Sequence, residues 1–184
     1  MIGIAVSGKA GAGKSTFAKS LIRVCESCEL PAEKIAFADE LKREVFELHG
    51  ITKEMVGGRE ALIRYGEERR RADPDHWIRP VAERVRFAQV CGILPVIDDM
   101  RFLREYEWAL SVHLTLVRLV ASPLWRRAKL ISQGLDAELP ASSLDGETQL
   151  DGLRHDHSVR NGVHVNLEVE AVKMLQATDT KTLS

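Results

Sequence analysis

The stretch "SGKAGAGKST", residues 7–16, follows directly on the apolar run "IGIAV" (2–6), and it constrains the fold more than any other feature of the chain. Gly8, Gly13, Lys14 and Ser15 complete the spacing GxxxxGK[ST]. Glycines at these places let the backbone wrap closely enough for successive N–H groups to face phosphate oxygens. The helix that begins near Lys14 adds the positive end of its dipole. Such a loop needs a buried strand before it and a helix after it. Residues 2–6 suit a strand buried on both faces, and from Lys14 to about Ser27 the residues Phe17, Leu21, Val24, Cys25 and Cys28 fall at helical spacing. Gly8, Gly11, Ala12, Gly13, Lys14, Ser15 and Thr16 are therefore the expected triphosphate-binding set. Lys14 is placed to reach the β- and γ-phosphates and the Ser15 hydroxyl to ligate Mg²⁺, which makes ATP and Mg²⁺ the expected cofactors.

The remaining pattern alternates strands and helices. "KIAF" (34–37) reads as a second strand, followed by a helix from Asp39 to about His49. Residues 59–90 are helical in pattern, broken at "DPD" (73–75), because Pro74 drives the residue before it out of the helical region. "ILPVID" (93–98) and "HLTLVRLV" (113–120) read as the third and fourth strands. About 132–156 is polar and reads as loop, "VNLEVEAVKMLQ" (165–176) closes the chain as a helix, and the tail "TDTKTLS" is expected to fray. The result is an α/β fold with a parallel sheet and helices on both faces. Ligands of such sheets gather outside the carboxyl ends of the strands. Site residues are thus expected after residues 6, 37, 98 and 120.

Composition removes several function classes. The 184 residues suit a single domain. A net charge of −1 argues against binding nucleic acid or an anionic membrane surface, and no apolar run is long enough to span a bilayer. The N-terminus lacks the positive flank of a signal peptide, and three cysteines suit a reducing compartment, so a cytoplasmic location is expected. "CESC" (25–28) lacks a further ligand pair for zinc and lies on the apolar face of the first helix. No guanine-reading NKxD follows the loop, and the chain is short for a motor. A small-molecule kinase instead requires cations for an anionic acceptor, a carboxylate near acceptor or metal, and a lid that excludes water.

Candidates for each part stand at the strand ends. In "FADELKREV" (37–45), Asp39 suits both a helix cap and a group touching acceptor or Mg²⁺, and Lys42 lies one turn further on. "YGEERRRADPDHW" (65–77) carries Arg69, Arg70 and Arg71, a pattern common on solvated helix faces, and Trp77, a residue type more often core than ligand. In "VIDDMRFLREYE" (96–107), Asp99 is placed to hold Mg²⁺ through water, Arg101 to grip a phosphate, and Glu105 to orient Arg101. In "SPLWRRAKL" (122–130), Arg126 and Arg127 open the long polar segment, where a lid would bring cations onto a transferring phosphoryl group. His155 and His157 in "RHDHS" read as solvated loop residues.

Taken in order, "GKAGAGKST", "FADELK", "GEERRRADPDHW", "VIDDMRFLREYE" and "ETQLDGLRHDHSVRNG" resemble bacteriophage deoxynucleoside monophosphate kinases over about residues 1–175. The strand-end "DDMRF" with its following glutamate, and the late Asn161-Gly162, are the more specific parts; "FADxLK" also occurs in animal-type phosphomevalonate kinase. The resemblance implies a nucleoside monophosphate kinase-like P-loop fold and transfer from ATP to a deoxynucleoside monophosphate. It implies Lys14 on ATP, Arg101 on the acceptor, Arg126 or Arg127 in the lid, and acceptor-side roles for Trp77 and for Arg70 or Arg71. The interval from Gly66 to Trp77 is shorter than the family pattern, which leaves open which of the three arginines takes the family position. The implied organisation is one domain, with a core of about 1–121 and 158–176, an acceptor-binding region of about 39–80 and a lid of about 122–157. Small-molecule nucleotides are the expected partners, for a monomer or homodimer, in a host cytoplasm if phage-encoded. The alternatives are a kinase for a non-nucleotide acceptor and a non-catalytic nucleotide-binding protein.

Overall fold

The computed structural model describes residues 3–134 and 148–182. Five parallel strands form one sheet in the order β2-β3-β1-β4-β5: β1 (Ile4–Ser7), β2 (Ala32–Ile35), β3 (Leu94–Met100), β4 (Thr115–Ala121) and β5 (His157–Asn161). Helices of the described residues connect or cover them: α1 (Lys14–Ser27), α2 (Phe37–His49), α3 (Gly58–Ala72), α4 (Ile78–Val90), α5 (Leu103–Ser111), α6 (Pro123–Ser132) and α7 (Leu167–Thr182).

Period-two alternation along the strands sorts the core into two layers. Ile4, Val6, Val96, Val117 and Leu119 pack with Phe17, Ala18 and Leu21 of α1 and with Ala171 and Met174 of α7. Ala5, Ile35, Ile97 and Leu116 face the other way and pack with Val81 and Val85 of α4 and Tyr106 and Ala109 of α5. Both faces are covered, so every residue of β1 is buried, as expected for a central parallel strand.

Sequence expectations and structure differ at four places. The second strand ends at Ile35, and Phe37 opens α2 instead of closing the strand. Asp39 consequently sits inside the first turn, and the N-cap position falls to Ala36, which has no capping side chain. A fifth strand, His157–Asn161, lies in a stretch without a recognisable strand pattern, because at the sheet edge only Val159 is buried. The last helix runs to Thr182 where fraying was expected from Thr178, and Thr178 Oγ1 donates to the Met174 carbonyl at 2.8 Å. No helix among the described residues is long and apolar enough to cross a membrane.

Candidate active site

The loop between β1 and α1 is held by its neighbours on three sides. A Cβ on Gly8 would lie 2.6 Å from the Leu119 carbonyl oxygen, one on Gly11 2.5 Å from that of Arg126, and one on Gly13 2.4 Å from Asn161 Nδ2. Side chains at these positions would collide with β4, α6 and β5, so the glycines permit close approach as well as the turn itself. Asn161 fixes the loop directly: its Nδ2 donates to the Ala12 carbonyl at 2.9 Å, while its Oδ1 accepts from the Gly162 amide at 2.9 Å. Lys14 is 8% exposed, and its ammonium donates to the carbonyls of Gly8 and Lys9. Ser15 and Thr16, in the first turn of α1, are exposed.

Two consecutive aspartates at the end of β3 have different surroundings. The register between β1 and β3 slips here: Ala5 faces Ile97, whereas Ser7 faces Met100. Asp99 accepts from the amides of Phe37 at 3.0 Å and Ala38 at 2.8 Å, one on each oxygen. It thereby supplies the cap that Ala36 cannot, and its negative charge meets the positive end of α2. Burial raises its pKa, opposed by the Ala38 amide and reinforced by Asp98. Asp99, expected to hold Mg²⁺ through water, thus has one backbone amide on each of its oxygens. Asp98, the first of the pair, is 3% exposed; its Oδ1 has no hydrogen bond and lies 3.7 Å from Lys34 Nζ. Lys34 is the register partner of Val96. A buried carboxylate oxygen without a hydrogen bond is costly unless a cation completes it. Mg²⁺ retains several waters and needs few protein oxygens, so the unbonded Asp98 oxygen is a donor of the kind that fits it.

Asp39 and Lys42 are placed in a chain of ion pairs. Lys42 Nζ lies 2.8 Å from Asp39 Oδ1, and Lys34 Nζ lies 3.0 Å from Asp39 Oδ2. Burial opposes the lowering of the Asp39 pKa, and hydrogen bonds from Lys42 and Lys34 outweigh it. Lys34 was the missed member, a lysine on an edge strand with no motif to mark it.

The three arginines of α3 separate by helical rotation. Arg69 donates to the Tyr65 hydroxyl and pairs with Glu44, and Arg71 is exposed. Arg70 turns toward the end of β3: its guanidinium carbon lies 4.0 Å over the Phe102 ring, and its Nε is buried without a hydrogen bond. Burial pulls its pKa down against the opposing charges of Glu105 and Glu67, and the nearby Arg101 charge pulls the same way. Arg101 is exposed.

Glu105, expected to orient Arg101, holds the backbone at Arg101 and Phe102. Its Oε2 accepts from the Arg101 amide at 2.8 Å and the Phe102 amide at 3.1 Å. Burial raises its pKa to about 7, against the Arg101 amide and with the charge of Asp99.

Trp77 is 2% exposed, its Nε1 donates to the Gly66 carbonyl at 3.3 Å, and its ring meets Tyr65 and His76. A side chain so enclosed packs α3 against the start of α4. On α6, Ser122 accepts from the Trp125 amide at 3.2 Å, and Arg126 reaches the Ala10 carbonyl at 3.4 Å, over the phosphate loop. Arg127 is exposed. The middle of the expected lid, residues 135–147, lies outside the described residues.

The two late histidines do not behave as a solvated pair. His155 Nε2 lies 2.8 Å from Ser7 Oγ and Nδ1 2.9 Å from the Leu153 carbonyl, and burial lowers its pKa. His157 instead contacts Thr178 from β5. Among the described residues no group of three or more His, Cys, Asp or Glu is arranged to hold a metal ion.

No protein-family model and no curated protein matches the sequence. Solved structures do share its fold. TT1252 from Thermus thermophilus is 20% identical, with 95% of this chain and 96% of that one aligned at a TM-score of 0.61. The APS kinase CysC of Mycobacterium tuberculosis, in complex with AMPPNP and APS, is 14% identical over 96% and 98% of the chains, with a TM-score of 0.55. Shikimate kinase from Acinetobacter baumannii is 14% identical over 99% and 95%, with a TM-score of 0.52. The chain shares with these two kinases the fold of a parallel sheet covered by helices, with a glycine-rich loop after its central strand.

Proposed function

We propose that this chain is an ATP-dependent phosphotransferase that moves the γ-phosphoryl group of ATP to a deoxynucleoside monophosphate, giving dNDP and ADP. The observation that carries the acceptor side is the meeting of Arg70 and Arg101 at the end of β3, with a buried Arg70 Nε that lacks a hydrogen bond. A buried guanidinium whose Nε lacks a hydrogen bond is stabilised by an anion beside it, and its planar fork matches a phosphate. The fold likeness supports a kinase, and the resemblance of the strand-end and late motifs to phage deoxynucleoside monophosphate kinases supports the nucleotide acceptor.

In this reading the loop amides, Lys14 and Thr16 hold the triphosphate. Ser15 and Asp98 hold Mg²⁺, which when bound neutralises charge on the donor phosphates. Arg70 and Arg101 orient the acceptor phosphate for in-line attack, with Lys42 and Asp39 beside it. Arg126 and Arg127 approach the transferring group from α6. The acceptor phosphate is largely ionised at neutral pH, so positioning and charge neutralisation supply the rate and no strong base is needed.

A coupled ADP-release assay with ATP, Mg²⁺ and a panel of deoxy- and ribonucleoside monophosphates, phosphomevalonate and a no-acceptor control tests the reading. Acceptor-dependent release with deoxynucleotides is expected. Release with phosphomevalonate alone would overturn the acceptor class, and nucleotide binding without release would overturn the transfer.

A further inference from the structure

Three cations meet around residues 7–9, where the phosphate loop begins. The Lys14 ammonium rests on the carbonyls of Gly8 and Lys9. Arg118, the register partner of Ser7 on β4, donates through Nη1 to Ser7 Oγ at 3.5 Å and through Nη2 to Asp151 Oδ1. Lys9 Nζ lies 2.7 Å from the other oxygen, Asp151 Oδ2. One carboxylate thus bridges a loop lysine and an arginine of β4, one oxygen on each.

That is the arrangement in which two cations share a phosphoryl group. It also stands at the right end of the loop: the lysine of this motif reaches the β- and γ-phosphates, and Lys9 and Arg118 gather about the same short stretch of backbone. The bridge is built unevenly. The Arg118 side chain is 14% exposed, whereas those of Lys9 and Asp151 are 36% and 41% exposed. Solvent screens the outer pair, so its carboxylate is readily exchanged for a stronger anion. Asp151 belongs to a turn, its amide donating to the Thr148 carbonyl at 2.9 Å.

We propose that Lys9 and Arg118 form an anion subsite for the terminal phosphate of a bound nucleoside triphosphate, and that Asp151 fills this subsite until the phosphate displaces it. The inference rests on the proposed nucleotide site and adds to it an internal competitor. A diphosphate, which has no group to place there, leaves Asp151 undisturbed. Asp151 therefore sets how strongly the chain prefers a triphosphate over its spent product.

Titration calorimetry on the full chain tests this with Mg·AMPPNP, Mg·ADP and dTMP as probes and without turnover. Removing the competitor in Asp151→Asn should tighten AMPPNP by about three- to fivefold, the worth of an exposed ion pair, and leave ADP unchanged. Lys9→Ala should weaken AMPPNP by about tenfold with little effect on ADP. The double variant should bind AMPPNP more tightly than Lys9→Ala alone, because Asp151 still occupies Arg118 in that single variant. Asp151→Ser, which also keeps a turn-forming side chain, provides the same comparison if Asp151→Asn folds poorly. Unchanged or weakened AMPPNP binding in a folded Asp151 variant overturns the subsite, and so does equal tightening of ADP or tightening of dTMP in place of AMPPNP. A wild-type chain that binds neither AMPPNP nor ADP overturns the nucleotide reading as well; one that binds both, with Asp151 variants unaltered, overturns the subsite alone.

Discussion

Asn161, at the end of β5, donates its side-chain amide to the Ala12 carbonyl at 2.9 Å, and so ties the last strand of the sheet to the phosphate loop. The same side chain lies where a Cβ on Gly13 would fall. The loop is thus shaped from the far side by a residue about 150 positions away.

Asn161→Ala should loosen the loop without exposing new core. ATP affinity is expected to fall by about three- to tenfold, the worth of a single neutral hydrogen bond in a positioned site, with little change in melting temperature. Calorimetric titration beside thermal unfolding checks both halves. A large stability loss with unchanged affinity would make the contact a fold element only.

Lys14→Ala should abolish phosphoryl transfer, by about a hundredfold or more, because a preorganised cation on the transferring phosphates is lost. Thermal unfolding should stay near that of the parent. Near-normal turnover in this variant would overturn the placement of ATP in the loop.

Arg70→Ala is expected to lower kcat/KM for the acceptor by about ten- to a hundredfold while the KM for ATP holds. Arg69→Ala, which removes a partner of Tyr65 and Glu44, should leave acceptor kinetics close to those of the parent. Steady-state kinetics with each substrate varied separates them, and equal effects would remove Arg70 from the acceptor site.

The aspartate pair should divide cleanly. Asp98→Asn is expected to raise the Mg²⁺ concentration needed for half-maximal activity, whereas Asp99→Ala should cost about 1–2 kcal/mol of stability as the cap of α2 is lost. Mg²⁺ titration and urea unfolding of both variants provide the comparison. Interchanged outcomes would return the metal to Asp99.

Glu105 carries a signed dependence on pH. Its folded pKa of about 7 lies above the ordinary value of 4.5, so between these limits the folded state binds the proton more tightly than the unfolded one. Stability from this group is full below about pH 4.5 and is lost as pH rises to about 7. Glu105→Gln should remove this component, so that the variant gains on the parent by a few kcal/mol across that window. Urea unfolding of both at pH 5 and pH 8 reads the difference; a constant difference would show that Glu105 does not titrate there.

Much of the frame was legible because it follows from local pattern. Helix α1 begins and ends where the spacing of Phe17, Leu21 and Cys25 places it, and the break at Pro74 divides α3 from α4. The turn between β1 and α1 was legible because glycine spacing dictated it. What the sequence hid depends on contacts across the fold. Asp98 and Asp99 are identical side chains in adjacent positions, and the register slip beside Ser7 separates their surroundings. Arg69, Arg70 and Arg71 differ only by helical rotation, which no composition records. The alternation of β5 is invisible because an edge strand buries one residue, Val159, where a central one buries all.

The hydrogen bond from Trp77 to the Gly66 carbonyl joins the helix that bears Arg70 to the entrance of α4. It makes that indole an intrinsic optical sensor. Any shift of α3 over α4 changes the polarity around the ring and the partner of its N–H, and so moves its emission. The chain therefore has its own reporter of motion in the helix carrying Arg70, readable in a stopped-flow mixing experiment with no dye attached. Trp108 and Trp125, on α5 and α6, supply the background against which that signal is resolved.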